Sequence, residues 1–124
     1  MSCFSRRQRR IIWTTGSLYL YLVSSTPLAR SQITPDGTLP NDTVVIPNGN
    51  TSSIEQGTRV GNNLFHSFQE FSIPTGKEAF FNNSLDIQNI LTRVTGGNSS
   101  NIDGTLRANG TANLFLINPN GIVF

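Results

Sequence analysis

The sequence predicts an all-β domain preceded by a removable leader, and three observations point to it. Short apolar runs at Thr43 to Ile46, Ile87 to Val94 and Leu114 to Ile117 are too brief for helices. Turn pairs separate the later runs at close spacing: Gly96-Gly97, Asp103-Gly104 and Asn109-Gly110. The chain after the leader is also rich in asparagine, with 14 among the 93 residues from Gln32 to Phe124. Asparagine suits tight corners and side-chain ladders between stacked strands. From pattern alone, short strands punctuated in this way fit a solenoid, a sandwich or a barrel.

The leader occupies residues 1–31. Arg6, Arg7, Arg9 and Arg10 form a basic start, and an apolar stretch from Ile11 to Val23 follows, interrupted by Thr14, Thr15, Gly16 and Ser17. A bilayer core of roughly 30 Å needs about 20 apolar residues, so this stretch is read as a signal peptide and not a permanent membrane span. Ser5-Arg6-Arg7 suggests a twin-arginine signal, but Arg9 and Arg10 stand where that signal wants apolar residues, which favours the general secretory translocon. Ala29 and Ser31 supply the small residues that cleavage requires, so the mature chain is expected to begin at Gln32.

Charge and cysteine content narrow the function classes. The precursor has a net charge of +2 and a pI near 9.2. Loss of Arg6, Arg7, Arg9, Arg10 and Arg30 leaves four basic residues against seven acidic ones, a net charge of −3. Arg59, Lys77, Arg93 and Arg107 are scattered, so nothing suggests nucleic-acid binding. Cys3 is the only cysteine and falls in the leader, which leaves the mature chain without a disulfide, a thiol nucleophile or a thiolate metal site.

In chain order, Ile33 to Asn41 is a Pro/Gly-punctuated opening stretch. Thr43 to Ile46 and the region around Ile54 are short β-branched strands between Asn/Gly/Ser turns. Asn62 to Ile73 carries Phe65, Phe68 and Phe71 at every third position, a helical spacing. The stretch is short and closed by Pro74-Thr75-Gly76, so an irregular strand with a bend is expected, with Phe80 and Phe81 closing the same apolar end. Asn118-Pro119-Asn120-Gly121 is a strong turn: Asn suits its first position, Pro fixes φ at the second, Asn tolerates the third and Gly relieves strain at the fourth. Leu114 to Ile117 before it and Ile122 to Phe124 after it read as two buried strands meeting at a corner.

Four stretches stand in order along the chain. They are Asn63-Leu64-Phe65-His66-Ser67-Phe68-Gln69-Glu70-Phe71, Asn89-Ile90-Leu91-Thr92-Arg93-Val94-Thr95-Gly96-Gly97, Ser100-Asn101-Ile102-Asp103-Gly104, and Ala112 through Asn118-Pro119-Asn120-Gly121 to Ile122. In this order and spacing the chain from Ile33 to Phe124 closely resembles the N-terminal secretion domain of two-partner secretion exoproteins, the filamentous haemagglutinin family. The resemblance implies a right-handed parallel β-helix (β-solenoid) with an N-terminal β cap over residues 32–124. The resembled domain continues beyond Ile-Val-Phe into further coils and a second Asn-containing motif. The chain is therefore expected to be truncated at its C-terminal end, with an open strand edge at Ile122, Val123 and Phe124 that favours self-association.

The resemblance further implies a secretion-recognition module of a large adhesin-like or haemagglutinin-like exoprotein, not an enzyme. Its partners would be the periplasmic POTRA domains of an outer-membrane β-barrel transporter, and its destination the medium or cell surface of a Gram-negative-type envelope. Asn118, Pro119, Asn120 and Gly121 match the family's Asn-Pro-Asn motif, for recognition or for nucleating the helix. Adhesion, haemolysis or toxin delivery would reside in the C-terminal region of the longer protein.

The remaining candidates have plain structural explanations. His66, the only histidine, lies beside Ser67, but neighbours on a strand point to opposite faces and cannot readily form a base and nucleophile. Asp36, Asp42, Glu55, Glu70, Glu78, Asp86 and Asp103 show no close pairing, so the alternative of a secreted carbohydrate-active or carbohydrate-binding β-helix needs distant coils to bring acids together. Gly96-Gly97-Asn98-Ser99-Ser100 lacks the glycine and aspartate of a calcium-binding nonapeptide and is read as a turn, with no metal or cofactor expected. Asn-x-Ser/Thr triplets begin at Asn41, Asn50, Asn82, Asn98 and Asn109, and are explained by turn chemistry without glycosylation.

Overall fold

A computed structural model describes residues 32–124. The leader and the Ala29 and Ser31 positions of its cleavage point lie outside the described residues. Gln32 is exposed, and its carbonyl accepts the Ser72 N–H at 2.8 Å.

The described chain is all-β. Its strands are β1 (Ile33–Pro35), β2 (Thr43–Asn48), β3 (Thr51–Gln56), β4 (Thr58–Val60), β5 (Asn63–Phe71), β6 (Glu78–Phe81), β7 (Asn89–Val94), β8 (Ser100–Asn101), β9 (Thr105–Ala108), β10 (Asn113–Ile117) and β11 (Ile122–Val123). From β5 onward the chain coils. β5, β7 and β10 stack in parallel as one wall, β3, β6 and β9 as a second, and β8 and β11 as a third that the Ile73–Ile102 bridge extends. Three parallel walls joined by corners, with no barrel closure, make a parallel β-helix.

The first coil is covered by antiparallel strands. β1 and β4 pair with β5, and β2 pairs with β3. The hairpins β2–β3 and β4–β5 turn through Gly49-Asn50 and Gly61-Asn62. Both glycines sit at φ +63, which a two-residue hairpin demands of its first central position. These pieces form the N-terminal cap.

Side chains alternate between core and surface along each wall. Leu64, Ile90 and Leu114 form one inward row, and His66, Thr92 and Leu116 the next. On the second wall Ala79, Ile54 and Phe81 point in. Phe68 and Phe71 both reach the core although three residues apart, because the β1–β5 register shifts between Thr34 and Pro35 and leaves an extra residue around Gln69. The expected bend is thus a bulge. Phe68, Phe71 and Phe81 cluster with ring centroids 5.0 and 6.1 Å apart, and each contributes about 1.5–3 kcal/mol by burial.

Two sequence expectations need correction. Phe80 does not close the core with Phe81: alternation turns it outward, where the Arg107 guanidinium lies 3.9 Å above its ring. The strands flanking the final turn are not buried throughout either. Leu114 and Leu116 face in, while Phe115 (48%), Ile117 (53%) and Val123 (55%) are exposed.

Candidate functional site

The Asn118–Gly121 turn sits at the top of a column of corners. At its foot, the bulged strand presents the carbonyls of Phe68 and Gln69. Thr95 N–H donates to the first at 2.8 Å and Gly96 N–H to the second at 3.1 Å. The second corner can come this close only because residue 96 is glycine: a Cβ there would lie 2.1 Å from Gln69 O. The third corner then clasps the second. Asn120 Nδ2 donates to Gly96 O at 2.7 Å, and Asn118 Nδ2 donates to Asn98 O at 3.0 Å and to Ser100 Oγ at 2.9 Å.

Within the turn, Gly121 N–H donates to Asn118 O at 3.0 Å, and Asn120 N–H donates to Asn118 Oδ1 at 2.9 Å. Asn120 Nδ2 reaches the same oxygen at 3.1 Å. The buried Asn118 amide thus uses both N–H bonds downward and both acceptor positions sideways, so its hydrogen-bonding capacity is filled. A carboxylate or a methyl group could not reproduce this. Gly121 adopts φ +107, which strains any residue with a side chain, and its carbonyl accepts Ser100 N–H at 3.0 Å to start the β8–β11 pairing. The turn is a brace between coils as well as a corner between two walls.

A family model described as the TPS secretion domain matches residues 31–124. The chain belongs to the TPS secretion domain family. The "Heme/hemopexin-binding protein" of Haemophilus influenzae (strain ATCC 51907 / DSM 11121 / KW20 / Rd) is 40% identical over 75 residues, which is 60% of this chain and 8% of that protein. The chain therefore corresponds to a small part of that relative's length. No solved structure matches it.

Elsewhere in the TPS domain, His66 and Ser67 point to opposite faces. His66 packs inside between Phe68 and Phe81, at centroid distances of 6.2 and 5.3 Å. Thr43 Oγ1 accepts Ser67 N–H at 3.2 Å and lies 3.0 Å from His66 Nδ1, a contact that either tautomer of the ring can make as a hydrogen bond. Burial lowers the His66 pKa to about 4, which keeps the ring neutral. Thr92, opposite His66 in register, has a buried hydroxyl with no hydrogen-bond partner.

Ser67 joins a polar clamp that the sequence did not reveal. Its hydroxyl donates to Asp36 Oδ2 at 2.6 Å and accepts from Arg93 Nε at 2.7 Å. Thr95 Oγ1 donates to Asp36 Oδ2 at 2.6 Å, Thr38 bonds Oδ1 through both N–H and hydroxyl, and Arg93 Nη2 reaches Thr38 Oγ1 at 2.9 Å. Burial works to raise the Asp36 pKa, but the bonds from Ser67, Thr95 and Thr38 outweigh it and hold the group at about 2. The clamp ties the loop after β1 to the first two coils, joining residues 31 and 59 positions apart.

Other acids are likewise engaged in structure. Glu78 pairs with Arg107 at 3.0 Å and Asp86 with Arg59 at 2.8 Å, while Glu55 accepts from Asn82 and Glu70 from Asn98. Among the described residues no group of three or more His, Cys, Asp or Glu side chains is placed to hold a metal ion.

Proposed function

We propose that residues 32–124 are the secretion-recognition end of a large exoprotein, and that residues 1–31 are a signal peptide cut between Ser31 and Gln32. After passage through the general secretory translocon, the POTRA domains of an outer-membrane transporter bind this module. The chain then threads through the barrel and folds coil by coil outside, at the cell surface or in the medium. The membership of the TPS secretion domain family supports this reading. The observation that carries the role of Asn118, Pro119, Asn120 and Gly121 is the filled hydrogen-bonding of Asn118, which links the third coil to the second. A preset proline φ and a glycine in its required conformation lower the entropic cost of closing that coil, so the turn nucleates the helix.

The module has no catalytic role; adhesin-like activity, or the haem and hemopexin binding named for the Haemophilus relative, belongs to other parts of the longer protein. Residues 32–124 offer no axial iron ligand at the surface: they contain no Cys, Met or Tyr, and His66 is 2% exposed. Asn118→Ala and Gly121→Ala in the complete exoprotein, expressed with its transporter, should each reduce the amount released to the medium. Unchanged release of both would sink the proposed role of the turn.

A further inference from the structure

The outward rows of the first wall differ sharply in character. Asn63, Asn89 and Asn113 form a polar ladder, with amide contacts of 3.0 and 3.2 Å. The next outward row is Phe65, Leu91 and Phe115, and the one after it ends in Ile117. Leu39 from the loop after β1 joins Phe65, His66, Leu91, Thr92, Arg93 and Ile117 around a recess of about 190 Å³ with mainly apolar walls. Arg93 and Ile117 also border a shallower groove of about 560 Å³ that runs on to Pro119 and Asn120. An apolar face of this kind on a solvated wall marks a contact surface.

Arg93 sets the chemistry of what would bind. Arg59 and Arg107 are ion-paired with Asp86 and Glu78, and Lys77 bonds Asn50. Arg93 instead donates only to the hydroxyls of Ser67 and Thr38 among the described residues. Asp36 reaches the guanidinium only through these two hydroxyls, Ser67 donating to its Oδ2 and Thr38 to its Oδ1. Nη1 and the second Nη2 hydrogen therefore remain for a carboxylate at the rim of the recess.

We propose that this face docks an extended segment of a partner protein that presents one bulky apolar side chain close to a carboxylate. The apolar residue fills the recess between Leu39, Leu91 and Ile117, and the acid meets Arg93. This deepens the reading of the chain as a recognition module and rests on it, since the groove leads directly to the Asn118 turn.

A random-peptide phage library selected on the immobilised full chain tests this without any export step. Enriched peptides should pair Phe, Leu or Trp with a neighbouring Asp or Glu. Arg93→Gln should weaken their binding about tenfold and Ile117→Asp should abolish it. Val123→Asp, at an exposed position on another wall, should change nothing, and circular dichroism should show all three variants folded. Enrichment without the apolar–acid pairing, or binding indifferent to Ile117→Asp, overturns the proposal. So does decanoate binding that depends on Ile117 when no peptide is enriched, which would assign the face to a lipid. Failed peptide binding alongside export lost in Asn118→Ala overturns only this surface. The converse overturns only the role assigned to the turn.

Discussion

Gly96→Ala places a methyl group where the corners stack most tightly. Its Cβ would sit 2.1 Å from Gln69 O, whereas carbon and carbonyl oxygen settle at about 3.3–3.6 Å, so the corners must part by more than about 1 Å. That movement breaks the Gly96 N–Gln69 O bond and displaces the carbonyl that accepts from Asn120. Overpacking costs about 1–3 kcal/mol and a lost backbone hydrogen bond about 1 kcal/mol, giving about 2–4 kcal/mol together. Gly97 is the internal control: a Cβ there meets nothing within 4 Å, so Gly97→Ala should shift stability by no more than about 0.5 kcal/mol. Urea denaturation of the full chain, followed by far-ultraviolet circular dichroism, measures both. Equal midpoints for the two variants would refute the close stacking of the corners.

Further outcomes follow from the buried polar groups. Between pH 6.5 and about 4 the unfolded chain takes up a proton at His66 that the fold refuses. Stability should therefore fall as pH drops through this window, by an amount on the order of 3 kcal/mol at its foot, and His66→Leu should flatten the urea-midpoint profile there. Asp36 acts in a lower window: its stabilisation is complete above pH 3.8 and is lost as pH falls towards about 2, so Asp36→Asn should lower the urea midpoint at pH 7 and remove that acid limb. Asn89→Ala breaks both links of the asparagine ladder and should cost about 1 kcal/mol, while Asn113→Ala, which removes one link, should cost less by the same assay.

Much of the wall structure was legible because alternation and turn chemistry are local. The runs at Ile87 to Val94 and Leu114 to Ile117 became β7 and β10, and the third-residue spacing of phenylalanines betrayed an irregular strand. Gly49-Asn50 and Gly61-Asn62 are hairpin dipeptides, a local signal for the two hairpins of the cap. Contacts that depend on coil length were not legible. Asn63 meets Asn89 after 26 residues, and Asn89 meets Asn113 after 24, so no fixed repeat announces the ladder. The Asp36 clamp joins ordinary hydroxyl residues with no motif of their own. The Asn118 turn could be read as a turn, but its grip on Asn98 and Ser100 appears only when the coils are stacked.

Asn118→Asp separates that grip from the turn itself. The substitution keeps an oxygen for the Asn120 N–H and sets an acceptor against Asn98 O, while the Ser100 hydroxyl can turn to donate to the new carboxylate, a loss of about 1–3 kcal/mol for the buried carbonyl contact. The measurement is the ratio of released to periplasmic exoprotein in cells expressing the complete Asn118→Asp protein with its transporter. The bracing role predicts accumulation in the periplasm with little release. A ratio equal to that of the unmodified protein would contradict it.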